Sequence, residues 1–504
     1  MLPELHRIRL RTGAVAERSR RRPWRRCPAA VGGLTLLLLA TGCPSREGGS
    51  PADSPSGKED SVAAAVGSLD QPVVLIGVDG LEWNVLLPMM RDGDLPVMTR
   101  LMEQGTGGKL ETFRPTRSPV IWTSVVTGKV PRKHGIPHFY FEDEDGKYRL
   151  FSNRNRKTKA LWNIFSDDQR TVHCLGWWMT FPAEEIRGTM VAQTNTLAQI
   201  RTARGRAVWK GSIFRGLSGQ VWPETFQDRV LEIAGGVETG LSELIGEQFG
   251  TFPYPHSALT RRLWMNTLWA IRADTIYLRV ARELLATGEP FELLLLYFGG
   301  TDVVAHRFWR YMYPDEFTHR PTPEELENFH DVIRNYYRYA DAAIGTVLDD
   351  VGREASVFIV SDHGMHAVNQ EQYFDPDDLP ADVNSADHQD GPPGIIIAAG
   401  NNIRPRKLVD VHQLSASASD LPILGSVLDM APTILALKGL PIGQDMDGTI
   451  LDELLVEGLL DAHPPTYVPT HDTREWLASR PDQLLTAEAE QERLEQLRAL
   501  GYIQ

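Results

Sequence analysis

Apolar residues come along this chain in short, unbroken runs. Val73-Val74-Leu75-Ile76-Gly77-Val78 is continuous, rich in β-branched side chains, and ends at Asp79-Gly80. Runs of the same kind recur at 172–178, 293–298, 356–361 and 395–399. A strand that is apolar at every position, not at alternate ones, has to be covered on both faces, as in a parallel sheet. Stretches with helical periodicity lie between the runs, at 158–167, 324–351 and 426–438. Apolar strands alternating with amphipathic helices predict an α/β fold, a mostly parallel sheet flanked by helices. Such sheets gather ligands at the C-terminal ends of their strands, and polar residues cluster at those ends here.

The rhythm breaks over 185–285, which mixes Trp, Arg and Gly with Phe-Pro-Tyr-Pro at 252–255 and a helical stretch at 261–287. This predicts an inserted cap or substrate region, residues 185–290, over the strand ends. The catalytic core would then be residues 71–184 and 291–460. Residues 461–504 read as a polar tail finishing in a Glu/Gln/Leu-rich helix at 485–500. Trp177-Trp178-Met179-Thr180-Phe181-Pro182 reads as a core strand leading into the cap, its aromatics used for packing.

The front of the chain changes the picture. Residues 1–42 hold nine Arg and two acids, and a short apolar run at 29–39 precedes Ala40-Thr41-Gly42-Cys43. A basic segment, a short apolar segment and small residues describe an export signal, and the run is too short for a comfortable membrane span. Small residues directly before a Cys resemble the bacterial lipoprotein processing box, in which that Cys is acylated and becomes the new N-terminus. The expectation is a lipoprotein signal peptide at 1–42 and a flexible Ser/Gly/Pro/Asp-rich tether at 43–70. The mature protein would be exported and membrane-anchored through Cys43, facing the periplasm or cell surface. With Cys27 in the signal and Cys43 lipidated, Cys174 stands alone and no internal disulfide can form.

Charge narrows the substrate. The 504 residues carry a net −14, and everything from Cys43 onward carries 43 basic and 64 acidic side chains, a net −21. A body of that charge repels a polyanion unless cations intervene. No nucleic-acid polymer is expected as a partner.

The candidate chemistry sits behind the strands. Asp79 follows the first run. Asp302 follows 293–298, with His306 four residues on, a spacing that points two side chains the same way from a helical turn. Asp362-His363-Gly364 follows 356–361, and His388 precedes 395–399. Mixed Asp/His sets suit borderline divalent ions such as zinc, manganese or iron. Ser118 precedes a helical stretch ending at Thr127-Gly128, and a hydroxyl at a helix N-terminus has the dipole and free N–H groups to favour an anion. Arg117 and Lys129 read as solvated surface charge, His134 and His366 as structural or supporting residues.

Taken together, Val78-Asp79-Gly80, Ser118-Pro119 through Val126-Thr127-Gly128, Pro131, His134-Gly135-Ile136, Asp302 with His306, Ser361-Asp362-His363-Gly364, His388, Asp429-Met430-Ala431-Pro432-Thr433 and Asp445-Met446-Asp447-Gly448 resemble the alkaline phosphatase superfamily, and within it the type I phosphodiesterase/nucleotide pyrophosphatase family. The resemblance implies an alkaline-phosphatase-like core and two divalent metal ions, zinc first and manganese second. Asp302, His306 and His388 would hold one ion. Asp79, Asp362 and His363 would hold the other, which also binds Ser118. The implied reaction is hydrolysis of a phosphodiester or pyrophosphate bond, in a small molecule or headgroup, through a phosphoseryl intermediate on Ser118. Two departures keep alternatives open. Ile121 stands where many nucleotide pyrophosphatases have Asn, and the nucleophile is Ser where diesterases commonly have Thr. A phosphomonoesterase, a headgroup phosphotransferase, or a surface binding lipoprotein that keeps metals without turnover are the other readings. A Cys/Ser-x-Pro-x-Arg sulfatase signature does not occur around Ser118.

Overall fold

The computed structural model describes residues 66–142, 146, 148–194, 196–197, 208–209, 213, 217–249, 263–264, 267–352, 354–368, 384–413 and 416–479. The expected signal peptide, Cys43, most of the tether, Phe-Pro-Tyr-Pro and the 485–500 helix lie outside the described residues. No helix among the described residues is long and apolar enough to cross a membrane.

Nine strands form one sheet: β1 (Val73–Val78), β2 (Thr106–Glu111), β3 (Val172–Leu175), β4 (Gly188–Val191), β5 (Val221–Trp222), β6 (Leu293–Phe298), β7 (Ser356–Ser361), β8 (Gly394–Ala399) and β9 (Ile423–Ser426). Their spatial order is β9-β2-β8-β7-β1-β6-β3-β4-β5. The five central strands, β7 to β4 in that order, are mutually parallel, while β8 and β5 run antiparallel to their neighbours. The unbroken apolar runs have the predicted cause. Val74, Ile76 and Val78 enter one hydrophobic cluster and Val73 and Leu75 the cluster on the opposite face. Burying each such side chain contributes on the order of 1.5–3 kcal/mol, which holds the strands between two helical layers.

Among the helices, α1 (Trp83–Arg91), α2 (Pro96–Gln104), α3 (Ser118–Thr127), α4 (Leu268–Leu285), α5 (Gly300–Met312), α6 (Val332–Val351) and α7 (Met430–Leu437) surround the sheet. Several elements differ from the periodicity. The 172–178 run stops at Leu175, because Gly176 turns left-handed at φ 71° and Tyr277 fills the space where a Cβ would stand. Trp177 and Trp178 leave the sheet and pack, fully buried, beneath its C-terminal edge. The 324–351 stretch is two helices, Pro323–Phe329 and α6. Of the 185–290 segment, β4 and β5 extend the main sheet and α4 packs against β6.

Candidate active site

Three adjacent strands, β7, β1 and β6, end at the same edge of the sheet. Asp79 follows β1 directly, Asp362 follows β7, and Asp302 is the third residue of α5, which leaves β6 after one residue. Strand β8 runs the other way and pairs Ile395 with Ser361, so the loop before it brings His388 to the same edge. The parallel topology is therefore what gathers residues hundreds of positions apart.

Two sets of three ligand atoms form there: Asp302, His306 and His388, and Asp79, Asp362 and His363, each set lying within 4.8 Å. His306 Nε2 stands 3.1 Å and His388 Nε2 3.8 Å from Asp302 Oδ1. His363 Nε2 stands 3.4 Å from Asp79 Oδ1 and 3.3 Å from Asp362 Oδ2. The sets adjoin, because the His363 and His388 rings stack at 3.8 Å with a 13° interplanar angle. Asp79, Asp362 and His363 are fully buried, whereas the His306 and His388 side chains keep 17% and 13% exposure. Solvent thus reaches the site from the Asp302 side.

The histidine hydrogen bonds test whether a cation fits. Nδ1 of His306 lies 2.8 Å from the Ala386 carbonyl, and Nδ1 of His363 lies 3.2 Å from the Gly364 carbonyl. A carbonyl only accepts, so both Nδ1 atoms carry the proton. The Thr116 hydroxyl donates to the His388 carbonyl, and can only accept from His388 Nδ1, 2.9 Å away. In a neutral imidazole this leaves Nε2 as a lone pair. All three Nε2 atoms then face carboxylate oxygens, an arrangement that repels unless a proton or a cation lies between them. Tethering Nδ1 to an oxygen is also how metal-ligating histidines are commonly oriented. Burial holds the His363 imidazole below its ordinary pKa against the pull of Asp79 and Asp302, and its buried Nε2 has no hydrogen-bond partner. Burial also pulls His306 down, but the charge and hydrogen bond of Asp302 and the Ala386 carbonyl outweigh it and leave it raised, so without a cation a proton on Nε2 answers Asp302, in the place a metal ion would take. The donor sets fit two divalent cations.

Ser118 is the first residue of α3 and 3% exposed. Two neighbours tie it to the ligands. Thr116, two residues before it, bonds His388 and donates its N–H to Gln389 O at 3.3 Å. Trp122, one turn after it, packs edge-on against Tyr297 at 5.4 Å. The helix start offers an anion less than expected, because Pro119 has no N–H and Val120 and Ile121 both donate to Arg117 O. Ile121 is a fully buried core residue.

Tyr297 is a participant that the sequence reading missed. Its phenol donates to Asp79 Oδ2 and accepts from Trp178 Nε1 at 2.9 Å. Burial, with Asp79 and Asp362 nearby, pushes its pKa well up, which keeps the phenol a donor. The only sequence signal was Gly77, the glycine inside an apolar strand and the register partner of Tyr297. A Cβ at Gly77 would stand 2.8 Å from the Trp122 ring.

Lys129 corrects an expectation. It is buried, not solvated, and bridges Asp445 and Asp472, each at 2.6 Å. Asp447 accepts from Val130 N–H and Lys133, so this end of the motif set staples the α3 exit to the C-terminal segment. His134 is buried against Ser124. Arg117 is half-buried, with Nη1 3.4 Å from Pro137 O.

The profile of the family described as "Type I phosphodiesterase / nucleotide pyrophosphatase" matches residues 73–429. No curated protein matches the chain in sequence. Among solved structures it is similar to human ectonucleotide pyrophosphatase / phosphodiesterase 5, with 14% identity, TM-score 0.41, and 76% of this chain and 100% of that chain covered. The murine protein of the same name, in an inactive form in complex with AMP, gives 12% identity, TM-score 0.39 and coverage of 73% and 95%. A mutant of the alkaline phosphatase PafA gives 15% identity, TM-score 0.46 and coverage of 77% and 100%.

Proposed function

The chain belongs to the type I phosphodiesterase / nucleotide pyrophosphatase family and is a phosphoester hydrolase, and on that footing we propose that it cleaves phosphodiester or pyrophosphate bonds with Ser118 as nucleophile at a two-metal site. The observation that carries this reading is the set of three Nδ1-tethered histidines whose Nε2 atoms face carboxylates. Asp302, His306 and His388 would hold one ion and Asp79, Asp362 and His363 the other, zinc being the first choice for this donor set. Bound there, divalent cations would neutralise the converging carboxylates, favour the serine alkoxide and stabilise charge on the phosphoryl oxygens.

The chain's own residues supply the rest. Tyr297 fixes the orientation of Asp79, and Thr116 fixes the His388 ring. Ser118 Oγ forms a bond to phosphorus as the bond from phosphorus to the leaving oxygen breaks, giving a phosphoseryl intermediate and a released alcohol or phosphate. Water then attacks the same phosphorus, the Ser118 Oγ–P bond breaks, and the hydroxyl is regenerated. That water would come from the Asp302 side, where the exposure lies. The 185–290 segment is proposed to select the substrate. The protein is further proposed to act outside the cytoplasm, on a lipid anchor at Cys43.

The test offers the purified protein, with zinc or manganese, an aryl phosphodiester and an aryl phosphomonoester. Diester turnover that falls at least ~10³-fold in Ser118→Ala and vanishes with chelator is the expected result. Preference for the monoester would move the reading to a phosphomonoesterase, and no turnover with two tightly held ions would leave a binding protein.

A further inference from the structure

The start of α5, the helix that carries Asp302 and His306, is held from outside. Its N-cap is Gly299, which has no side chain to cap the free amides of the first turn. Asp274 does so from the middle of α4, where it is 2% exposed. Its Oδ1 accepts the Gly299 N–H at 2.9 Å and its Oδ2 the Gly300 N–H at 3.0 Å. The Tyr336 phenol, on α6, donates to the same Oδ2 at 2.9 Å. A carboxylate at this end meets both the orphan amides and the positive end of the helix dipole. The fit leaves no room for another residue, since a Cβ at Gly300 would stand 1.7 Å from the Tyr336 oxygen. At the β1 exit, a Cβ at Gly80 would stand 2.9 Å from Asp302 Cα. The first turn of α5 is therefore in close contact with α4, α6 and the β1 exit.

We propose that Asp274 is a positioning residue for the Asp302–His306 pair, setting the place of α5 so that this pair meets His388. The inference rests on reading Asp302 and His306 as metal ligands. A matched comparison exists within the fold. Asp341, on α6, caps α2 in the same manner, accepting from Val97 N–H at 3.1 Å and Met98 N–H at 2.8 Å, but α2 bears none of the candidate ligands. The two aspartates differ in what their helices carry.

The experiment titrates Zn²⁺ against a competing chelator into metal-stripped full-length protein, and follows thermal unfolding of each variant. Wild type should bind two ions. In Asp274→Asn the amide group would set an N–H against a backbone N–H. That variant should keep one ion at wild-type affinity and bind the other about 10- to 100-fold more weakly, the usual range for a lost supporting contact. Asp341→Asn should lose thermal stability and keep both affinities. Tyr336→Phe, which leaves both amide bonds in place, should weaken the same single ion by less. If Asp274→Asn binds both ions as wild type does, or weakens both in step with stability as a general loss would, the inference is overturned. Should Asp274→Asn not fold, Tyr336→Phe decides: one weakened ion supports the inference and two unchanged ions overturn it. A wild type that binds fewer than two ions overturns the ligand reading itself, and is told apart because the failure precedes any substitution.

Discussion

Tyr297 reaches Asp79 because β1 and β6 pair Gly77 with Tyr297, and the absent Gly77 side chain leaves the Trp122 ring room beneath them. Replacing Tyr297 with Phe keeps the ring and removes the hydrogen bond. Metal affinity at the Asp79 set should fall about 10- to 100-fold, measured by chelator competition. His134 sets a pH dependence of stability. Burial lowers its pKa to about 3, with a smaller contribution from Arg156. Between about pH 6.5, the unfolded value, and pH 3 the unfolded chain binds a proton that the folded chain refuses. Stability therefore falls as the pH drops through that window, by up to about 1.4 kcal/mol per unit from this group. His173, lowered by burial to about 4, adds to the slope from about pH 6.5 to 4. Denaturant titrations at pH 7, 6, 5 and 4 should show a shallower slope for His134→Gln than for wild type. The residues gathered at the sheet edge were legible because each follows or precedes an apolar run. Tyr297, Asp274 and Lys129 were not, since what each touches is set by strand register or by a partner far along the chain.

Glycines separate tight elements from loose ones. In β1, a Cβ at Gly77 would press on Trp122 at 2.8 Å and Trp177 at 3.2 Å, so Gly77→Ala should cost about 1–3 kcal/mol and disturb Asp79. In the Gln227–Phe249 helix, Gly235 is exposed with nothing near a Cβ, so Gly235→Ala should stabilise by about 0.5–1 kcal/mol. Thermal unfolding of the two variants checks both signs. The central strands were legible because burial on both faces demands unbroken apolar runs. Element ends were less so: only backbone geometry at Gly176 shows why 172–178 stops at Leu175. Strands β4 and β5 are short, four and two residues, and their pattern is too brief to separate from loop in a segment rich in Trp and Gly.

At the scale of the whole molecule, a body with net −21 beyond residue 42 would handle an anionic substrate by concentrating cations where its carboxylates converge. The proposed anchor is tested by radiolabelled palmitate fed to expressing bacteria. Label should appear on the wild-type chain and be lost in Cys43→Ser, and an unlabelled wild type would remove the anchor from the account. The two-metal site bears most of the argument, and diffraction from zinc-soaked crystals at the zinc absorption edge tests it most directly. Two anomalous peaks are predicted, one bounded by Asp302, His306 and His388 and one by Asp79, Asp362 and His363. A single peak, no peak, or peaks away from these six side chains would contradict it.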